Sequence, residues 1–174
     1  MICDEIQCGM GRTGKMYAFQ HYNVKPDIIT TAKALGCGVP VGAFVAGEKC
    51  CDSLVPGDHG TTYGGNPLAT AAVSKVFDLF EEMNILEHVN EVSNYLEEQL
   101  DKLVEQYDNV VARRGKGLMQ GLVLTTPVID TVNKAIDKGL LVISAGSDVL
   151  RMVPPLVITK ENVDEMIEIL SQCL

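Results

Sequence analysis

The run Ile28-Ile29-Thr30-Thr31-Ala32 constrains the fold more than any other stretch of this chain. It is β-branched and apolar without the alternation of a half-solvated strand, so it reads as a parallel strand covered on both faces, and it stops at Lys33. Residues 1–6 read as a second buried strand ending in polar residues, and Val41 to Ala46 as a third. In such α/β sheets ligands bind beyond the carboxyl ends of the strands, where Asp4 and Lys33 stand.

Helical patterns follow. Asn66-Pro67 places a capping residue before a proline at the first helical position, and a helix is predicted from there to about Met83. Its apolar residues Leu68, Ala72, Val76, Leu79, Phe80 and Met83 recur every three or four positions. A second amphipathic helix is predicted over 85–107, with Val89, Val92, Leu96, Leu100, Leu103 and Tyr107 on one face. Short strands then alternate with helices. The strands are predicted at 110–113, 118–124, 140–143 and 149–153, and the helices at 128–138 and 161–172. Thr159 is placed to cap the last helix, with Val163, Met166, Ile167 and Leu170 as its buried stripe. This change of pattern divides the chain into residues 1–84 and a small α+β domain, 85–174, that begins with its own helix.

Charge and cysteine usage exclude several classes. With 23 acidic against 14 basic residues the formal charge is −9, and no basic run exceeds Arg113-Arg114, so a nucleic-acid partner is not expected. The longest apolar-leaning stretch, Gly36 to Gly47, is too short and too glycine-rich to cross a bilayer. The six cysteines show no CxxC and no metal-site spacing with histidine, which suits a reducing cytoplasm and a role as small buried apolar residues. No metal site is expected.

Gly9-Met10-Gly11-Arg12-Thr13-Gly14 is a literal GxGxxG. A dinucleotide-binding unit needs an acidic residue at the end of its second strand, whereas Asp27 precedes that strand and Lys33 follows it. Asp4 and Glu5 would also repel a pyrophosphate. The glycines therefore read as a tight loop that needs their backbone freedom.

An acid and a lysine at neighbouring strand ends, each followed by glycine-rich sequence, are what pyridoxal phosphate chemistry requires: an amine to hold the aldehyde and a carboxylate to keep the pyridine nitrogen protonated. From the two residue types alone, a structural aspartate and lysine remain the competing explanation. The words around them decide more. Asp4-Glu5-Ile6-Gln7-Cys8-Gly9-Met10-Gly11-Arg12-Thr13-Gly14-Lys15, Lys25-Pro26-Asp27-Ile28-Ile29 and Ala32-Lys33-Ala34-Leu35-Gly36 resemble the class III (subgroup II) pyridoxal-phosphate-dependent aminotransferases. The resemblance continues through Gly60-Thr61-Thr62-Tyr63-Gly64-Gly65-Asn66-Pro67, Arg114-Gly115-Lys116-Gly117-Leu118-Met119 and Leu150-Arg151-Met152-Val153-Pro154-Pro155-Leu156. It runs through the whole chain in order.

That resemblance implies an α/β chain of the fold type I transferases, residues 1–84 being the C-terminal part of the large cofactor domain and 85–174 the small C-terminal domain. It implies that Lys33 binds the cofactor aldehyde and then acts as acid and base, and that Asp4 pairs with the pyridinium nitrogen. Gln7 would reach the ring's phenolic oxygen, with Glu5 and Ile6 completing the cofactor contacts. Thr62 would reach the cofactor phosphate of a neighbouring subunit, Thr61 would touch substrate, and Arg151 would bind a substrate carboxylate through its planar fork. Cys37 replaces a glycine usual in the family. The implied reaction moves the distal amino group of N-acetylornithine to 2-oxoglutarate, giving glutamate, in arginine biosynthesis, and the protein would be a cytoplasmic homodimer. Ornithine and 4-aminobutyrate are the alternative donors. The family is longer than this chain, which implies a C-terminal portion whose activity belongs to the full-length form; the rival reading is a non-catalytic truncated domain.

Overall fold

The computed structural model describes all 174 residues, which divide into two compact units, Met1–Leu86 and Glu87–Leu174. In the first, β1 (Ile2–Asp4) pairs in parallel with β2 (Ile28–Thr31), and β2 pairs antiparallel with β3 (Ala43–Ala46). The register aligns Ile2 with Ile28, Cys3 with Ile29 and Asp4 with Thr30.

Two expectations about this sheet need correction. The first strand is three residues long rather than six, because the Asp4 carboxylate accepts from the Ile6 amide and turns the chain. Nor are its strands buried on both faces: Ile2 is 67% exposed, and within β2 only Thr31 is buried. The covering that a β-branched run anticipates is not supplied by residues of this unit.

After the sheet comes α1 (Pro67–Glu82), opened by Asn66, whose side chain accepts from the Ala69 amide. Its buried line matches the predicted one only at Val76 and Phe80. Ala69, Val73, Val76 and Phe80 turn toward the core around Met10 and Leu35, while Leu68 is 75% and Met83 50% exposed. Apolar residues lie on two sides of this helix, so periodicity alone did not choose between lines one residue apart.

The second unit begins with the bulk of α2 (Ile85–Gln106), continues through β4 (Val110–Lys116), β5 (Met119–Leu124), α3 (Val128–Asp137), β6 (Ile143–Ala145) and β7 (Val149–Met152), and ends with α4 (Lys160–Ser171). Its strands form an antiparallel sheet in the order β4-β5-β7-β6. Val89, Val92, Leu96, Leu100 and Leu103 of α2 are all buried, as are Leu122 of β5 and Leu150 of β7. Here the helical period identified the core face because the opposite face of α2 is strongly acidic.

Hydrogen bonds between elements fix the helices of this unit. The Tyr107 hydroxyl donates to the Ser171 carbonyl at 2.9 Å, Lys160 pairs with Glu91 at 2.7 Å, and Lys134 donates to the Cys173 carbonyl at 3.0 Å. Thr159 caps α4 by accepting from the Asn162 amide, and the Asn162 side chain accepts in return from the Thr159 amide. The sixth strand starts at Ile143 rather than Leu140, since the Leu140 amide still bonds back to the Ala135 carbonyl and finishes α3. Cysteines also depart from expectation: only Cys173 is buried, and Cys37 and Cys51 are exposed.

Candidate active site

β1 and β2 run parallel, so their carboxyl ends open on the same side of the sheet. Asp4 ends β1 directly beside Thr30, and Lys33 lies three residues past Thr30. The Asp4 carboxylate is held from two directions at one oxygen. Its Oδ1 accepts from the Thr30 hydroxyl at 3.0 Å and from the Ile6 amide at 3.0 Å, and Oδ2 is left open. Thr30 is a positioning residue that motif reading missed. The signal for it was a hydroxyl at the position that a parallel register would set against Asp4.

Lys33 begins a short 3-10 turn, Lys33–Leu35, with φ +49, a left-handed backbone that a side chain adopts at a cost of about 1–3 kcal/mol. The turn is closed by the Leu35 amide bonding to Ala32 at 3.0 Å and the Gly36 amide to Lys33 at 3.2 Å. Leu35 is buried in the core, which anchors the turn and leaves the Lys33 ammonium exposed and without an ion pair. Gly36 is required here by space, since a Cβ would sit 2.2 Å from the Val39 carbonyl oxygen.

Glu5 does not join this constellation. It is 3% exposed, and its carboxylate accepts from the Ala18 amide at 2.9 Å and the Phe19 amide at 2.8 Å, holding the start of the Ala18–His21 turn. The Cys8 thiol donates to the same carboxylate at 3.2 Å, and burial together with that bond pushes the thiol up to about 11. With its backbone amide bonded to the Thr30 carbonyl as well, Glu5 shapes the loop after β1. The glycine-rich segment packs on the Glu5 backbone: a Cβ at Gly9 would meet the Glu5 carbonyl oxygen at 2.6 Å.

Ile6 is half-buried and Gln7 exposed immediately beyond Asp4. Thr61 and Thr62 lie elsewhere in this unit, in a wholly exposed loop that precedes α1. The Thr61 hydroxyl accepts from the Gly64 amide at 3.0 Å, and the Asn66 side chain donates to the Tyr63 carbonyl at 2.9 Å, tying the loop to the helix cap. Arg151 belongs to the second unit, half-buried on β7 beside a cavity of about 400 Å³ walled mainly by leucine, valine, isoleucine, methionine and proline. The structure thus collects Asp4, Ile6, Gln7 and Lys33 at one sheet end, and holds Thr61, Thr62 and Arg151 on other elements.

Comparison with known proteins identifies the whole chain, residues 1–174, as matching the family described as aminotransferase class-III. It is 48% identical over 174 residues to the acetylornithine aminotransferase of Aquifex aeolicus, covering 100% of this chain and 44% of that protein. To the acetylornithine aminotransferase of Streptococcus mutans it is 46% identical over 172 residues, 99% of this chain and 45% of that protein. Among solved structures, the ornithine aminotransferase of Plasmodium yoelii superposes with a TM-score of 0.93 at 35% identity, over 99% of this chain and 47% of that one. The acetylornithine aminotransferase of Elizabethkingia anophelis gives 0.92 at 34% identity, over 99% and 44%. The chain therefore spans a little under half the length of the relatives it matches.

Proposed function

The chain belongs to the class-III aminotransferases, and on that premise we propose that it carries the lysine and carboxylate of a site that moves the distal amino group of N-acetylornithine to 2-oxoglutarate, in arginine biosynthesis. The observation that carries the proposal is the pair Asp4 and Lys33 at the ends of adjacent parallel strands, one with an open oxygen and the other with an unpaired amine. The family is pyridoxal-phosphate-dependent and its fold is that of the type I transferases. A carboxylate fixed at one oxygen and open at the other fits a pyridinium N–H. An exposed lysine on a core-anchored turn fits an aldehyde carbon.

When bound, the cofactor supplies an electron sink for the substrate carbon that loses its proton. Asp4 Oδ2 would hold the proton on the ring nitrogen, and Thr30 keeps that oxygen from rotating away. The Lys33 amine would hold the cofactor aldehyde, and as a free amine beside the substrate carbon it would take that carbon's proton. Gln7 would reach the phenolic oxygen and Ile6 the ring. Thr62 would contact the cofactor phosphate of a second subunit in a homodimer, a role that suits the full exposure of its loop, and Thr61 would touch substrate. Arg151 would hold a substrate carboxylate with its fork. The free cysteines suit a reducing cytoplasm.

Ornithine is the second reading for the donor, supported by the likeness to an ornithine aminotransferase structure. Glutamate formation from 2-oxoglutarate by the full-length form, measured with N-acetylornithine, ornithine and 4-aminobutyrate in turn, separates the readings. The proposal expects the highest kcat/KM with N-acetylornithine and none with Lys33→Ala; a preference for either other donor, or turnover without Lys33, refutes it.

A further inference from the structure

Two cysteines stand side by side on an open turn of the first unit. β3 ends at Ala46, and the chain then folds back on the Gly47 carbonyl, which accepts from the Cys50 amide at 2.9 Å and from the Cys51 amide at 3.0 Å. Cys51 begins a short 3-10 turn, Cys51–Ser53, in which the Ser53 amide donates to the Cys50 carbonyl at 3.1 Å. The turn is moored to the start of β2: the Gly47 amide donates to the Asp27 carbonyl at 2.7 Å, and Lys49 pairs with the Asp27 carboxylate at 3.0 Å. Both thiols are free, Cys50 half-buried and Cys51 exposed.

This geometry decides what two neighbouring thiols can do together. On an extended strand they would project to opposite faces, whereas at three residues per turn they diverge by about 120°, and rotation at χ1 swings the sulfurs toward each other. A disulfide between them is disfavoured, because Cα atoms across one trans peptide are about 3.8 Å apart and disulfides prefer about 4.4–6.8 Å. One atom inserted between the sulfurs closes a larger ring without that strain. Nowhere in the chain do three or more histidine, cysteine, aspartate or glutamate side chains come together, so a zinc ion, which takes four ligands, finds no cage here. Two soft sulfurs suit instead a trivalent arsenical with one carbon substituent, which has two places left for thiolates. No other cysteine adjoins a second in sequence, and the Cys8 thiol is bonded to Glu5 and held up to about 11, which keeps it protonated.

We infer that Cys50 and Cys51 form a dithiol site that captures a mono-substituted trivalent arsenical. With phenylarsine oxide, two S–H bonds and the arsenic–oxygen bond break, two arsenic–sulfur bonds form, and the oxygen leaves with both protons as water. Arsenic stays trivalent, so no oxidant or reductant takes part. The second arsenic–sulfur bond forms within the chain, which makes the bridged adduct outlast any bond to a single thiol. The site is independent of the reaction proposed above.

The test incubates the folded chain with an equimolar amount of phenylarsine oxide and a large excess of 2-mercaptoethanol, counts adducts by intact-mass spectrometry and maps them by digestion. A single arsenical per chain is expected, on the peptide that holds Cys50 and Cys51, and 2,3-dimercaptopropanol is expected to remove it. Cys50→Ser and Cys51→Ser should each weaken retention about 100-fold, the loss of the chelate, while Cys37→Ser leaves it within about twofold. Thermal melts of the variants that match the parent exclude misfolding as the cause. No adduct surviving the monothiol, an adduct undiminished in Cys50→Ser or Cys51→Ser, or one lost in Cys37→Ser overturns the inference.

Discussion

Replacing Glu5 by glutamine keeps the shape of the side chain and removes one acceptor from a buried place. Glu5 is 3% exposed, and its oxygens accept from Ala18 at 2.9 Å and Phe19 at 2.8 Å. In the glutamine one oxygen remains, and the new NH₂ group faces the other backbone N–H, donor against donor. A hydrogen bond to a charged group contributes about 1.5–3 kcal/mol, and a buried donor left unsatisfied costs about 1–3 kcal/mol. These describe one lost contact from its two ends and are not summed, so the net local cost is about 1.5–3 kcal/mol. At 1.4 kcal/mol per factor of ten, hydrogen exchange at the amide that loses its acceptor accelerates about 10- to 140-fold. Exchange measured by NMR at fixed pH reads this directly, with the Leu124 amide, bonded to the Asp148 carbonyl in the other unit, as the internal control. Unchanged protection at both Ala18 and Phe19 would refute the assignment of Glu5 as the clamp of this loop.

Three further perturbations test the packing and the thiol. Gly115→Ala places a Cβ 2.1 Å from the Met119 carbonyl oxygen at a backbone φ of +137, so the β4–β5 hairpin must shift, with an expected loss of about 3 kcal/mol or more in urea unfolding. Leu100→Ala, at a position 0% exposed on α2, is expected to cost about 2–5 kcal/mol in the same measurement. Cys8 is held up to about 11 against an ordinary thiol value of 9.0, so between those values the unfolded chain releases a proton that the folded chain keeps. Stability therefore falls as pH rises through that window and levels above it; Cys8→Ser should flatten this part of the urea-midpoint profile, and an unaltered slope would contradict it.

The elements of the second unit were legible because α2 and α4 carry one apolar stripe each against polar surroundings, so the helical period has a single solution. The same rule was half right at α1, where Val76 and Phe80 join the core as predicted but Leu68, Leu79 and Met83 do not and Ala69 and Val73 are covered instead, a choice that only packing around Met10 and Leu35 decides. The burial expected of β1 and β2 is absent because a β-branched run records what a strand requires, not what this unit supplies. Within the site, Asp4 and Lys33 were visible as strand-end residues. The placement of Glu5 was not, because Asp4-Glu5 reads as two equivalent carboxylates until the Ala18 and Phe19 amides, thirteen and fourteen residues away in sequence, are seen to occupy the second. Thr30 stayed hidden for a related reason: its role depends on a parallel register that no local pattern reveals.

The central claim is that Lys33, opposite Asp4 at the end of β2, is the lysine that binds pyridoxal phosphate. Incubation with pyridoxal phosphate, reduction with borohydride and mapping of the modified peptides by mass spectrometry measures it without requiring turnover. The account predicts one dominant label, on Lys33, weakened in Asp4→Asn where the ring nitrogen loses its charged partner and absent in Lys33→Ala. Dominant labelling at another lysine, with Lys33 unmodified, would contradict it.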